Sequence, residues 1–555
     1  MSAFTPKLLS TLREGYSLKT LRADALAGLT VAIVALPLAM ALGIASGASP
    51  DKGLITAVVA GLLISALGGS RLQIGGPTGA FVVVVFNIIA SHGYHGLVVA
   101  TLMAGVILII AGYAKLGQLI KFIPHPVVTG FTAGIAVIIA TSQVKDFLGL
   151  TMPSVPADFL DKWLAYAQAL SSIQLSAFAI GMGSLVLIIL LRRKAPRLPG
   201  FLIAIVTASI LVAAFNLPVD TVGSRFPDMP AGLPMPSWPG ISFALIREML
   251  PSAFTIAFLA GIEALLSAVV ADGMAGTRHR SNQELVGQGV ANVASALFGG
   301  LPATGAIART ATNIKAGAKT PIAGILHAVF LLLFIVFATD LMAYVPMAAL
   351  AAILFVVAWG MSEYERFIAL LSMPNSDRAV LLLTFGLTVF VDLTVAIAVG
   401  VTVASLLFMA RMSETVRIDS GQSGAGDGDL LDDAAGQRDD LPKGVEVFRI
   451  TGPFFFGVAG ELLDALRRVG QSPKIIILRM RLVPMLDASG VSGVESFVIQ
   501  ARQSGASVII SGAQAQATAM LARGGLDAQH PGLYFSDDYD SAIRRARALL
   551  DGTDA

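Results

Sequence analysis

Two short stretches of this sequence are near copies, and both combine the residue types that hold an anion. The first reads Gly75-Gly76-Pro77-Thr78-Gly79-Ala80 and the second Gly299-Gly300-Leu301-Pro302-Ala303-Thr304-Gly305-Ala306. Each breaks a long apolar region with Gly and Pro, then restarts it at a Thr. In a bilayer, broken backbone survives only where it is buried in protein or lines a cavity. Interruptions at matching places in two halves of a chain point to a binding site near the membrane midplane. The competing reading is two kinked helices packed through small residues. If each restart is a half-helix, Thr78, Gly79 and Ala80 face Thr304, Gly305 and Ala306 across two helix N-termini. Such termini carry unpaired N–H groups and about half a positive charge, so a facing pair binds an anion without a metal. The Thr hydroxyls either cap the half-helices or touch the anion.

Two charged residues belong to the same picture. Arg309 follows the second motif in Ala306-Ile307-Ala308-Arg309-Thr310, placed between one and two turns into the half-helix. Charge at membrane depth is expensive and marks function by default, and guanidinium pairs with carboxylate or sulfate in bidentate fashion. The alternatives are a structural partner for a buried acid and a snorkelling anchor. Glu263 stands in Ala260-Gly261-Ile262-Glu263-Ala264, mid-way along an apolar segment. An ionised carboxylate is costly there, so Glu263 either carries a coupling proton or pairs with Arg309. Glu284 and Asp272 are expected nearer the solvated ends, as structural residues, and Asp392 as a helix cap in a short hairpin. His92 and His95 read as loop residues, His279 as part of a basic loop, and His327 as a lone histidine in an apolar helix. The six His show no metal-ligand spacing.

The elements that must position these residues are membrane helices. The chain has 555 residues, 55% hydrophobic and 13% charged, with a mean hydropathy of +0.77. A soluble domain carries about 25% charged residues. Runs such as Leu26–Ile44, Leu97–Ala114 and Thr320–Ala338 approach the ~20 residues that cross a bilayer as helix, and the ~10-residue alternation of a membrane β-barrel is not seen. Net charge is +2 and there are no cysteines. This excludes disulfides, thiol chemistry and Cys-ligated metals, and implies no nucleic acid or other polyanionic partner. No cofactor is implied, and no nucleophile–base pair supports an enzyme.

Charge and turn punctuation predict about fourteen segments, centred near residues 35, 62, 84, 105, 133, 182, 206, 260, 292, 309, 330, 352, 384 and 400. Those near 84 and 309 are the broken ones. Arg71, Lys115 with Lys121, Arg192 to Lys194 with Arg197, Arg278 with Arg280, Lys315 with Lys319, and Arg411 all fall on one side of this count, together with the N-terminus. The positive-inside rule makes that side cytoplasmic and puts the Pro-rich loop from Asn216 to Pro239 outside. Leu54–Gly69 aligns without gaps on Leu285–Gly300, with five identities in sixteen positions. This supports two seven-segment repeats, about 23–215 and 245–411, the second inverted in the membrane. The domain reading is a cytoplasmic segment 1–22, a transmembrane domain 23–411, a linker 412–441 and a soluble α/β domain 442–555. From Asp419 to Asp440 there are seven Asp and one Arg, a flexible acidic composition. Beyond it, Val445–Thr451, Phe454–Val458, Lys474–Met480 and Ala506–Ser511 read as strands. Glu461–Val469, Ser489–Gln503, Gln514–Ala522 and Ser541–Leu550 read as helices. Ser489, in Leu486-Asp487-Ala488-Ser489-Gly490, is either a phosphorylation site at a helix start or, with Asp487, a simple cap.

These features together resemble the SulP anion transporter family, which includes sulfate transporters and prestin, with a C-terminal STAS domain. The stretches that carry the resemblance are Glu263 through Asn313, with Ala271 to His279 and Pro302 to Arg309, and Pro37-Leu38-Ala39-Met40-Ala41 in the first helix. The resemblance implies fourteen segments in two inverted repeats, split into core and gate domains, working by alternating access. It places the substrate between segments 1, 3, 8 and 10, which brings in Leu38, Thr78, Glu263 and Thr304. Many relatives carry Gln where this chain has Leu38. Arg309 matches the cation of prestin-like members and argues against sodium coupling. Overall similarity looks nearest the bacterial C4-dicarboxylate branch, which implies proton-coupled uptake of succinate or fumarate into a bacterium across its inner membrane by a homodimer. Sulfate or bicarbonate transport, an anion channel, and a membrane-anchored signalling protein are the other readings. Asp487-Ala488-Ser489-Gly490 departs from the Asp-Ser-Ser-Gly of phosphorylated STAS proteins, although Ser489 matches the modified serine.

Overall fold

The computed structural model describes residues 4–552 apart from 119–123, 153–154, 157, 196–197, 228–229, 231, 392, 421–440, 456–457 and 468–472. Lys121, Arg197, Asp392 and most of the acidic stretch therefore lie outside the described residues. The chain divides into two compact units, 1–404 and 405–555.

In the first unit, a short helix α1 (Lys7–Arg13) precedes α2 (Leu18–Ala45), α3 (Pro50–Leu67), a two-residue strand β1 (Gly75–Gly76) and α4 (Val82–Tyr113). Then come α5 (His125–Leu148), the short α6 (Phe159–Ala169), α7 (Leu175–Lys194), α8 (Gly200–Phe215) and one turn, α9 (Val222–Arg225). The second half repeats the order. It runs α10 (Phe243–Ala275), α11 (Ser281–Leu297), β2 (Thr304–Gly305), α12 (Ile307–Lys315), α13 (Ile322–Met342), α14 (Met347–Met361), a short α15 (Tyr364–Leu371), α16 (Asn375–Phe390) and α17 (Leu393–Glu414). Gly93, at φ +68°, interrupts α4. No L side chain adopts that backbone comfortably, so α4 is two segments. With that break, every one of the fourteen expected centres falls on a helix, seven in each half. Nine of the described helices are long and apolar enough on their own to cross a membrane. The remaining segments are shorter, like α8 and the half-helix α12, or polar, like α11. His92 and His95 are helical residues on either side of the Gly93 break rather than loop residues, and His92 Nε2 lies 3.0 Å from Glu248 Oε1.

The inversion of the second half is visible in the backbone. β1 and β2 pair antiparallel, with Gly75 opposite Gly305 and Gly76 opposite Thr304. Helices α2, α3, α4, α10, α11, α12 and α13 pack on one another as a core, while α5, α7, α14 and α16 form a second, gate-like group. Close packing of the core rests on small residues: the Cβ-less Gly105 and Gly289 meet each other's backbones where α4 crosses α11, as expected for helices associating in lipid.

In the second unit, five strands run in the order β3 (Arg417–Ser420), β4 (Val445–Thr451), β5 (Ile475–Leu482), β6 (Ser507–Ser511), β7 (Leu533–Ser536). β3 is antiparallel to β4 and the rest are parallel. Ile475 to Leu478 are buried, with successive residues in apolar clusters on opposite faces, because helices cover both faces of a parallel sheet. These are α18 (Ala459–Arg467), α19 (Ala488–Gln503), α20 (Ala515–Arg523) and α21 (Tyr539–Asp551). Two expectations are corrected here. Arg417–Ser420, read as linker, is an edge strand; of the expected strand Phe454–Val458, Phe454 makes a single bridge to Leu486 and residues 456–457 lie outside the described residues. The β7 strand was hidden by its flanking Gly and Asp residues.

Candidate functional site

The two broken segments meet at the crossing of β1 and β2. Thr78 is in extended conformation and precedes a 3-10 turn, Gly79–Phe81, that opens into α4. Thr304 and Gly305 form β2, Ala306 is the N-cap of α12, and Arg309 is that helix's third residue. Arg309 thus lies in the first turn, closer to the motif than the expected one to two turns. The N-termini of the two half-helices converge on the crossing, where their first-turn N–H groups have no intrahelical acceptors.

Neither Thr caps its helix. Thr78 Oγ1 donates to Glu263 Oε2 of α10 at 2.8 Å, and Thr304 Oγ1 donates to the Ala260 carbonyl of the same helix at 2.8 Å. Both motifs are therefore tied to one turn of α10, and the only carboxylate in that part of the helix is joined to the first motif. Glu263 is half-buried. It forms no salt bridge with Arg309 among the described residues, so the ion-pair role weighed from the sequence is not seen. Arg309 is buried and donates from Nη2 to the Pro77 carbonyl at 2.8 Å. Its Nε and Nη1 have no protein acceptor among the described residues. The guanidinium of the second motif thus reaches across to the first. Gly76, at φ +151°, is required for this: a Cβ there would come within 2.5 Å of Arg309 Nη1. Leu38 follows Pro37 within α2 and is buried in the main apolar cluster.

The sequence reading missed the residues that hold the broken backbone. A buried N–H or C=O without a partner costs about 1–3 kcal/mol, and each interruption frees several. Asn292 of α11 satisfies both groups of Ala303, its Nδ2 donating to the carbonyl and its Oδ1 accepting from the N–H, each at 2.8 Å. Thr56 Oγ1 of α3 accepts from Leu301 N at 2.6 Å, and Ser295 Oγ donates to Leu301 O at 2.6 Å. On the other strand, Thr310 Oγ1 accepts from Ile74 N at 3.0 Å and Asn313 Nδ2 donates to Leu72 O at 2.9 Å. Glu284 Oε2 accepts from Gly69 N and Ser70 N at 2.8 and 2.9 Å. Glu284 is structural, as expected, but it is fully buried rather than solvated. Most of these bonds run from one repeat to the other, so each half completes the other's loop. The usable signal was the run of Gln283, Glu284, Gln288, Asn292 and Ser295 in an otherwise apolar stretch. Asp272 pairs with His279 at 2.7 Å, also a structural role. His327 is fully buried in α13.

In the second unit, Asp487 is the N-cap of α19, its Oδ1 accepting from Gly490 N at 2.7 Å. Ser489 is exposed on the first turn. Capping by Asp487 is thus realised, and it leaves the Ser489 hydroxyl accessible. No group of His or acidic residues arranged to hold a metal occurs among the described residues.

Comparison with known proteins places this arrangement. Residues 21–384 match the model of the sulfate permease family and residues 440–537 that of the STAS domain. A Bacillus subtilis protein, YvdB, named as a candidate sulfate transporter, is 40% identical over 529 residues, 95% of this chain and 98% of that one. The bicarbonate transporter BicA of a Picosynechococcus species is 32% identical over 512 residues, covering 90% of each chain. The solved transmembrane domain of a cyanobacterial BicA superposes with a TM-score of 0.62, covering 70% of this chain and 98% of that one, at 32% identity. Murine Slc26a9, solved in an inward-facing state, superposes at 0.86 with 18% identity, covering 98% and 94% of the two chains, a likeness of fold. With its family match spanning most of the chain and its crossed half-helices between inverted repeats, this multi-pass membrane protein belongs to the sulfate permease family of anion transporters and carries a STAS domain.

Proposed function

We propose that the chain is a secondary active carrier that takes up C4-dicarboxylates such as succinate and fumarate together with protons, by alternating access at the β1–β2 crossing. The observation that carries this reading is the Arg309 guanidinium, buried at the junction of two half-helix N-termini with its Nε and Nη1 free of protein acceptors among the described residues. The charge and the open Nε and Nη1 donors, which point from opposite edges of the guanidinium, suit hydrogen bonds to the oxygens of a carboxylate or similar anion. Thr78, Gly79, Ala80, Thr304, Gly305 and Ala306 supply the two N-termini, and Leu38 gives the site an apolar wall. Glu263, hydrogen-bonded to Thr78, is the proton-coupling acid. It shares a helix turn with the carbonyl that binds Thr304, so its protonation and the position of both motifs are linked.

A second reading, a sulfate or bicarbonate carrier, is favoured by what the relatives are named for; sulfate also fits a guanidinium fork. The cytoplasmic placement of both termini and the STAS domain rests on the basic clusters of the sequence, and the bacterial inner membrane on the resemblance to the bacterial C4-dicarboxylate branch. A homodimer and phosphoregulation at Ser489 belong to the same proposal. The test is uptake of labelled succinate, fumarate, sulfate and bicarbonate into proteoliposomes, with and without sodium and with and without a pH gradient. Saturable succinate uptake that needs a proton gradient and ignores sodium supports the first reading. Uptake of sulfate or bicarbonate alone replaces the substrate, and an ohmic, non-saturating current replaces the carrier by a channel.

A further inference from the structure

A cavity of about 550 Å³ opens at the end of the bundle where α2 stops and α4 breaks. Its walls are the first segment of α4, the last turns of α5 and α16, and the start of α6. It therefore lies between the core group and the gate group, beyond the outer end of the half-helix that begins at Thr78. Its volume falls in the range of about 300–1,000 Å³ common to small-molecule sites.

Lys162 of α6 lines this cavity and is only 4% exposed. Its Nζ stands 5.5 Å from the ring centroid of Phe86, and it makes no salt bridge among the described residues. The other charges facing the cavity are Lys145 and Asp146 of α5, Asp158 at the start of α6, and Arg225 of α9. Asp146 is held by Arg225 at 2.9 Å, and Arg225 also holds Asp220 at 3.2 Å. Asp158 is not within salt-bridge distance of Lys162, although its charge acts on it. Among the residues that line the cavity, Lys145, Lys162 and Arg225 stand against Asp146 and Asp158, and Lys162 is the cation buried over an aromatic face. A buried ammonium with no counter-ion is unfavourable. Burial lowers the Lys162 pKa, with Asp158 pulling the other way.

We propose that this cavity is a second anion subsite, with the Lys162 ammonium as its charge and Asn87 and Ser91 on its α4 wall, occupied by a small inorganic anion or carboxylate on its way to or from the central crossing. The proposal depends on the chain being an anion transporter and not on which anion is carried. A lysine suits a transit site: it offers a point charge and rotatable donors, and binds less selectively than the fork at Arg309.

The absence of cysteine from the chain gives a direct test. In the full chain, reconstituted, Asn87→Cys places a single thiol on the cavity wall. Its reaction is followed with a sulfonate-bearing and an ammonium-bearing methanethiosulfonate, each normalised to its rate with a free thiol. The subsite predicts a preference of about three- to ten-fold for the anionic reagent, the effect of one charge at close range in a partly solvated cavity. Chloride, sulfate and succinate at millimolar concentration should slow the anionic reagent by competition. Lys162→Met should remove both the preference and the competition, and Lys162→Arg should keep them. The same Lys162→Met protein should show a raised KM for uptake with kcat retained. Equal normalised rates in the otherwise unaltered chain, or a preference unchanged in Lys162→Met, would overturn the proposal. If Lys162→Met fails to insert, the reagent and competition measurements on the protein with native Lys162 decide it. A failure of succinate transport would leave this test intact, since any permeant anion serves as competitor.

Discussion

Replacing Arg309 by Ala tests the central site where the structure is most explicit. Among the described residues the side chain makes one bond, from Nη2 to the Pro77 carbonyl, and has two further donor nitrogens without protein acceptors. Hydrogen bonds to charged groups contribute about 1.5–3 kcal/mol each. Two such bonds to a bound anion amount to about 3–6 kcal/mol, or about two to four orders of magnitude in affinity. The loss to the fold is smaller, because the variant gives up the Pro77 bond and at the same time removes a buried charge. Purified Arg309→Ala should therefore elute like the parent protein yet bind anion at least about a hundred-fold more weakly by calorimetry. Ligand-induced thermal stabilisation gives a second readout. A ligand at 100 times its Kd stabilises by about 2.7 kcal/mol, and the same concentration should leave the variant's unfolding temperature unmoved. Arg309→Lys should recover part of the affinity, since an ammonium supplies charge without the planar fork. Binding by Arg309→Ala within about three-fold of the parent, equivalent to less than 1 kcal/mol, would refute the assignment.

Two other perturbations have defined outcomes. Asn292→Ala strands both backbone groups of Ala303, at about 1–3 kcal/mol each; it should lower the unfolding temperature and the transport rate together, and an unchanged melting curve would mean that the crossing does not depend on this amide. Truncation after Glu414 removes β3 with the rest of its sheet and no residue of the proposed anion site; uptake by correctly inserted protein should fall or change in rate while the order of preferred anions stays the same, and a changed order would tie the STAS domain to substrate choice.

Much of this arrangement was legible in the sequence because membrane constraints are severe. Fourteen segments were legible as apolar runs between charge and turn punctuation, the broken motifs as interruptions that lipid does not tolerate unburied, and the inversion as a repeat with an odd number of segments per half. Thr78, Thr304, Arg309 and Glu263 were visible as polar exceptions in apolar surroundings. Their partners were not. That Thr78 reaches Glu263 and that Thr304 reaches Ala260 depends on where α10 passes the crossing, which no local pattern encodes. The same holds for Asn292, Thr56 and Glu284, whose partners lie in the other half or across a loop. The break at Gly93 matches the two segments expected near 84 and 105, but His92 and His95 are helical on either side of it because the helix resumes at once. In the second unit β3 is hard to see in the sequence because a four-residue edge strand beside an acidic stretch carries too little pattern to stand out.

The most direct measurement of the account is made with Glu263→Gln, which mimics the permanently protonated acid. Proteoliposomes of the parent and the variant, from matched preparations, are loaded with anion and assayed twice: for exchange of labelled anion at equal concentrations, and for accumulation against a gradient driven by a proton gradient. The account predicts that the parent does both and that Glu263→Gln exchanges but no longer accumulates. Proton-driven accumulation by Glu263→Gln at the parent's level would contradict it, and would move the coupling site away from the carboxylate that Thr78 holds.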